Sequence, residues 1–207
     1  ADTMGVILGT HIHERPEYCL AIDVGTNGEI VLAGNNRILA CSTAAGPAFE
    51  GAEIKFGMRA AEGAIEEVYV DNETGTCHVK VIGDKKPCGI CGSGLLDAVA
   101  QLYDEGIINY RGVFNAEGEE AEKIHPELRK RFAKSDVGYE FMLTTKEESA
   151  KGIPVVLCQK DIRELQMAKG AIYAGMRVLM NEMGITIEDV KELLIAGAFG
   201  SYIKVDS

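Results

Sequence analysis

Apolar residues alternate or run together over positions 18–24, 29–33 and 37–43, and the stretches are separated by Thr26-Asn27-Gly28 and by Gly34-Asn35-Asn36. Short apolar runs divided by Asn-Gly signals predict three consecutive antiparallel strands, a meander. A small-residue loop from Cys41 to Gly51 follows. Ile54, Met58 and Ala61 then recur at helical spacing and predict a helix over about 50–63. Residues 66–71 and 76–82 flank Asn72-Glu-Thr-Gly75 and read as a hairpin. Cys88-Gly-Ile-Cys-Gly-Ser-Gly94 opens a helix that carries Leu95, Leu96, Val99 and Leu102 and stops near Gly106. From about 107 to 138 the chain is charged and poorly periodic, an irregular insertion with a short helix around 126–133 and a solvated face of lysines and glutamates. Strands at about 139–143 and 154–158 precede a long helix over roughly 159–183, with Ile162, Leu165, Met167, Ala168, Ile172, Met176 and Leu179 inward. Leu193-Leu-Ile-Ala196 closes the pattern as a buried strand. A meander followed by alternating helices and parallel-type strands is an α/β fold, a mixed sheet flanked by helices.

Candidate chemistry gathers at two strand exits. Between the first two strands stands Asp23-Val-Gly-Thr-Asn-Gly28, a carboxylate at the mouth of a glycine-rich turn. Gly25 and Gly28 let a ligand approach the backbone, and the N–H groups of such a turn form an anion-binding concavity around Thr26 and Asn27. Asp23 is then placed to meet a metal or an attacking water. The plainer alternative is a hairpin in which Asp23 caps its own turn. The last strand leaves through Gly197-Ala-Phe-Gly200. Both exits, in one α/β unit, are expected on the same rim of the sheet, where ligands of such folds gather. Gly92, Ser93 and Gly94 begin a helix whose N-terminus suits an anion, unless Ser93 simply caps it. Lys160, Asp161 and Arg163 open the long helix, where Asp161 suits the helix dipole.

Composition narrows the ligand. The chain has 207 residues, 46% of them hydrophobic, enough for one large or two small domains, with no run approaching a membrane span and no signal peptide; a cytoplasmic protein is expected. A net charge of -11 argues against nucleic acid, and the nearest basic run, Arg129-Lys-Arg131, is short and flanked by Glu127 and Asp136. An anionic ligand must therefore be held by local amides and a metal. Of six cysteines only Cys88 and Cys91 stand close together, while Cys19, Cys41 and Cys158 lie in apolar runs, a pattern of reduced thiols. The start at Ala1 without an initiator methionine and the end soon after Gly200 predict a part cut from a longer protein.

Taken in order, Asp23-Val-Gly-Thr-Asn-Gly-Glu29, Gly46-Pro-Ala-Phe-Glu-Gly51, Gly89-Ile-Cys-Gly-Ser-Gly94, Gln159-Lys-Asp-Ile-Arg163 and Gly197-Ala-Phe-Gly200 resemble the ATPase part of the reductive activators of corrinoid proteins. These belong to the actin, sugar kinase and Hsp70-like ATPase (ASKHA) superfamily, with its ribonuclease H-like lobes, and the resemblance runs from residue 18 to 203. It implies an ATP-dependent iron–sulfur protein that returns cob(II)amide to cob(I)amide in the corrinoid protein of a methyltransferase system. It further implies that residues 1–17 are an N-terminal segment and 18–207 the second lobe, the first lobe and the electron-carrying iron–sulfur domain being absent from this chain. ATP and Mg2+ are the expected ligands, with a corrinoid protein as partner and a homodimer as an assembly to test. Carried over by position, Gly25, Thr26, Asn27 and Gly28 would surround the phosphates and Asp23 would orient magnesium or the attacking water. Gly197, Ala198 and Gly200 would flank the adenosine, where a larger side chain would block base or ribose. Glu29 and Glu50 are further carboxylates that would assist water, and Phe199 is read as core.

Four other readings stand beside this one. Cys88 and Cys91 before a helix could form a redox pair. The same pair with His78, or with His11 and His13, could hold half a zinc site, against solvent-exposed imidazoles in a surface loop. The chain could be a lobe of a small-molecule kinase of the same superfamily, or a docking and oligomerisation module without activity of its own.

Overall fold

The stretch that opens the chain folds as a helix that the apolar pattern does not announce: α1 (Asp2–Thr10) has one buried side chain, Val6, and carries Asp2 in its first turn. His11 then takes a left-handed φ of 52° and turns the chain into a 3-10 turn, Ile12–Glu14. The computed structural model describes residues 2–25, 27–44 and 47–197.

The meander follows as expected: β1 (Tyr18–Val24), β2 (Gly28–Gly34) and β3 (Arg37–Thr43). Asn35 and Asn36, at φ 49° and 58°, form the two-residue left-handed turn that matches the twist of its flanking strands. After it, the helix expected over 50–63 does not form. A 3-10 turn, Pro47–Glu50, leads into irregular chain, because Gly51 and Glu53 adopt left-handed φ values of 77° and 67°, which no helix accommodates.

The hairpin β4 (Ala64–Asp71) and β5 (Thr76–Val81) is joined by the short parallel strand β6 (Gly89–Ile90). Next come α2 (Gly92–Asp104) and the brief helices α3 (Glu119–Glu122) and α4 (Pro126–Arg129). The helix expected over 126–133 is thus cut short. Phe132 is instead the hub of an aromatic cluster, edge-on to Phe114, Tyr139 and Phe141, and starts β7 (Phe132–Ser135). Strands β8 (Gly138–Thr144) and β9 (Val155–Cys158), the long α5 (Gln159–Met183) and β10 (Val190–Ala196) complete the order.

The chain divides into two compact units. The first comprises the described residues up to Pro47 and those from Met167 onward. Its mixed sheet has the order β10-β1-β2-β3, with β10 parallel to β1 and the rest antiparallel. One face packs Cys19, Ala21, Val31 and Ala33 against Val6 and Ile12, with Leu194 and Ala196 alongside, so α1 covers that face. The other buries Leu20, Ile22, Ile30 and Leu32. There α5 approaches so closely that a Cβ on Gly175 would stand 2.7 Å from Ile30 Cδ1 and 2.5 Å from Thr43 Cγ2. Two expectations are corrected in this unit. Met167 is 61% exposed, since it lies off the stripe defined by Leu165, Ala168 and Leu179. Strand β10 is not wholly buried: it has one partner strand among the described residues, and Leu193 and Ile195 are 51% and 41% exposed.

The second unit, Ala48 to Gln166, holds the three-stranded sheets β5-β4-β6 and β7-β8-β9. Helix α2 docks on β4, where Asp97, itself buried, accepts the Val68 N–H at 2.6 Å. The charged stretch 107–138 lies wholly within this unit. Among the described residues no helix is long and apolar enough to cross a membrane.

Candidate active site

The parallel pairing of β1 with β10 brings the two glycine-bearing strand exits together. Asp23 is in register with Ala196 on one side and with Glu29 of β2 on the other. Because side chains two residues apart share a face, Asp23 and Glu29 continue the rows of Cys19 and Ala21 and of Val31 and Ala33. Both carboxylates therefore lie on the face that α1 covers, directly across from each other at the rim. Like charges opposed in this way destabilise a sheet, and Asp23 is only half-buried. Burial, and then the charge of Asp2 in α1, push its carboxyl above the usual range. Asp2 is the one contributor that no sequence motif singled out: an aspartate at a helix start reads as a helix-dipole residue and nothing more.

Gly197 follows directly on the last residue of β10, and a Cβ placed on it would fall 2.3 Å from Asp23 Oδ1. In the turn itself, the Gly25 N–H donates to the Asn27 carbonyl at 3.0 Å, and a Cβ on Gly25 would meet that oxygen at an unstrained 3.7 Å. Gly28 is paired with Val24, so it stands inside β2 rather than at the centre of a two-residue turn, and its carbonyl accepts the Thr43 hydroxyl at 3.1 Å. Thr26, Gly46, Ala198, Phe199 and Gly200 lie outside the described residues.

Other candidates fall in the second unit. Gly92, Ser93 and Gly94 are buried at the start of α2. A Cβ on Gly94 would fall 2.1 Å from the Ile65 carbonyl oxygen, so glycine there permits helix–strand packing. Ser93 is not the cap: the N-cap residue is Cys91, and the Ser93 hydroxyl lies 3.3 Å from its Sγ. Glu50 is exposed at the end of its 3-10 turn. Asp161 is fully buried in the first turn of α5, accepting the Cys158 N–H at 2.8 Å and the Lys55 N–H at 2.9 Å. Lys160 pairs with Glu53 at 3.2 Å.

The thiols argue against redox chemistry at Cys88 and Cys91. Both are free, and they bracket the extended strand β6 with Cys91 itself extended, so their Cα atoms are about 10 Å apart at ~3.3 Å per residue, beyond the ~7 Å limit for a disulfide. Cys88 instead contacts Met58 Sδ at 3.6 Å and Cys91 the Ile65 carbonyl at 3.2 Å. Among the described residues no group of three or more His, Cys, Asp or Glu side chains is arranged to hold a metal ion. Magnesium is ordinarily held by one or two carboxylates together with phosphate oxygens and water, and the rim pair Asp23 and Glu29 is of that kind.

Residues 17–207 match the family model described as the C-terminal domain of RACo, the ASKHA domain. The chain is 43% identical over 206 residues to the corrinoid activation enzyme RamQ of Eubacterium limosum, covering 99% of this chain and 34% of that protein. It is 29% identical over 226 residues to the [Co(II) methylated amine-specific corrinoid protein] reductase of Methanosarcina barkeri, covering 100% of this chain and 36% of that one. Among solved structures, a reductive activator for corrinoid, iron-sulfur protein superposes with a TM-score of 0.85 at 37% identity, over 98% of this chain and 31% of its own length. The chain thus spans about a third of the length of the relatives it matches.

Proposed function

Because this chain belongs to the family of the C-terminal ASKHA domain of RACo, we propose that it is the nucleotide-binding lobe of an ATP-dependent reductive activator, which restores cob(II)amide to cob(I)amide in the corrinoid protein of a methyltransferase system. The observation that carries this reading is the meeting of Asp23, Glu29 and Gly197 at one rim, through the register of β1 with β2 and β10. The contrast between Gly25 and Gly94 supports it. Gly94 is demanded by the fold, whereas the fold leaves ordinary room for a side chain at Gly25, so glycine there answers to a ligand.

Magnesium bound with the nucleotide would supply charge neutralisation for phosphoryl transfer. Of the chain's own groups, Asp23 would orient that metal through water and Glu29 would hold a water beside it. Gly25, Thr26, Asn27 and Gly28 would line the phosphates, with Ala198 and Gly200 toward the nucleoside. Residues 18–207 would form the second lobe, with a first lobe and an iron–sulfur domain elsewhere in a longer cytoplasmic protein. Nucleotide would then favour a closed two-lobe state with altered affinity for the corrinoid partner, coupling hydrolysis to an uphill one-electron reduction. The reading also leaves room for assembly as a homodimer.

Calorimetric titration of the chain with magnesium-ATP tests the site. Wild type should bind, and Asp23→Ala should weaken binding by about tenfold or more, the loss of roughly 1.4 kcal/mol. Equal binding by the two would remove Asp23 from the site. In the protein carrying both lobes and the cluster domain, Asp23→Ala should abolish ATP-dependent formation of cob(I)amide, followed by its absorbance.

A further inference from the structure

Gly197 follows β10 at a φ of 88°, and the side chain that any other residue would carry there has no free space. Its Cβ would fall 2.3 Å from Asp23 Oδ1, 3.4 Å from Asp23 Cγ and 3.1 Å from the Val24 carbonyl oxygen. Real Cβ atoms essentially never approach within 3.0 Å of another heavy atom, so something must shift. The carbonyl at 3.1 Å needs to give by only a few tenths of an ångström, and it belongs to a strand paired on both sides. The carboxylate is the terminal group of a side chain with two rotatable bonds, so it is the group that moves.

Building on the phosphate-site reading above, we propose that Gly197 is a positioning residue for Asp23: the side chain it lacks is the space in which the Asp23 carboxylate sits. The family resemblance implies a different reason for glycine here, room for the base or ribose. The geometry points to the charged end of the nucleotide instead. The register of Asp23 with Ala196 brings Gly197 beside the carboxylate, and with its φ of 88° the missing Cβ falls on Asp23 Oδ1. A side chain at 197 would evict the carboxylate from its place opposite Glu29, and with it the group proposed to orient magnesium.

Four proteins decide the matter: wild type, Gly197→Ala, Asp23→Ala and the double variant, each as the 207-residue chain. In urea, Gly197→Ala should lower the unfolding midpoint, partly through strain at positive φ and partly through the carboxylate. The strain is common to both backgrounds and the carboxylate is not. The drop should therefore shrink by about half or more when Asp23 is already alanine, a rescue that generic damage at 197 would not give. An equal drop in both backgrounds overturns the proposal. This cycle needs no nucleotide, so it stands or falls separately from the phosphate-site reading. Where magnesium-ATP binds, Gly197→Ala should weaken it by about tenfold or more, as Asp23→Ala does, and leave adenosine affinity unchanged. Loss of adenosine and ATP affinity in equal measure would return Gly197 to a role at the nucleoside.

Discussion

Asp23 is held where a carboxylate is poorly solvated and faces like charge, with Glu29 across the strand pair and Asp2 acting on it from α1. A carboxyl whose folded pKa lies above its unfolded value costs no stability below the usual carboxylate range, where both states are protonated. The cost then grows as pH rises through the folded value. Asp23→Asn should accordingly raise the unfolding midpoint at neutral pH and leave it unchanged near pH ~3, below the ordinary aspartate pKa. The same gain at both pH values would sink this explanation. Such a trade of stability for a charged site is common where function needs the strained group. Thiol chemistry is equally local. Burial pushes the Cys77 thiol up to about 11, against the opposing pull of Arg131, and Cys19, Cys91 and Cys158 are also buried. Alkylation of the native chain at neutral pH, mapped by mass spectrometry, should label Cys88 first and Cys41, whose thiol burial also pushes up, more slowly, and spare the other four, which become reactive only on unfolding.

At the scale of elements, local patterning carried far where it was regular. Alternation and paired asparagines specify β1 to β3 and their turn, and the long amphipathic repeat specifies α5 to its ends. It failed over 50–63, where three apolar residues at helical spacing were outvoted by left-handed conformations at Gly51 and Glu53 and by close packing of Gly57 on the Gly51 carbonyl. It also could not separate two kinds of glycine-rich helix or strand exit. Gly94→Ala should cost about 1–3 kcal/mol, because its Cβ would meet the backbone of β4. Gly25→Ala, with ordinary contacts, should change stability by less than about 0.5 kcal/mol and weaken magnesium-ATP binding. Comparable destabilisation of both in urea would undo the distinction. Asp161→Ala leaves two backbone N–H groups, of Cys158 and Lys55, without their buried acceptor and should cost about 2–4 kcal/mol in the same assay.

For the molecule as a whole, a net charge of -11 repels a nucleotide polyanion, so the proposed site would need magnesium and the local amides to overcome that field. Magnesium-ATP at about a hundredfold excess over its Kd should stabilise the chain by ~2.7 kcal/mol, seen as a rise in Tm that Asp23→Ala abolishes. A Tm rise of the same size with ATP in chelator would exclude a metal-dependent site. The reading of this chain as an ASKHA lobe was open to inspection in the sequence, because its motifs are short, contiguous and ordered along the chain. So were the meander, the long helix and the carboxylate at the first strand exit, each set by neighbours a few residues away through side-chain periodicity and turn chemistry. What only the tertiary structure decided is adjacency. That β10 returns to pair in parallel with β1, that α1 covers the face bearing Asp23 and Glu29, and that Gly197 stands against the carboxylate all depend on contacts between distant segments. Non-local pairing leaves no periodicity in either strand to say which one lies beside it, and a missing Cβ reveals its purpose only when the atom that fills its place is known.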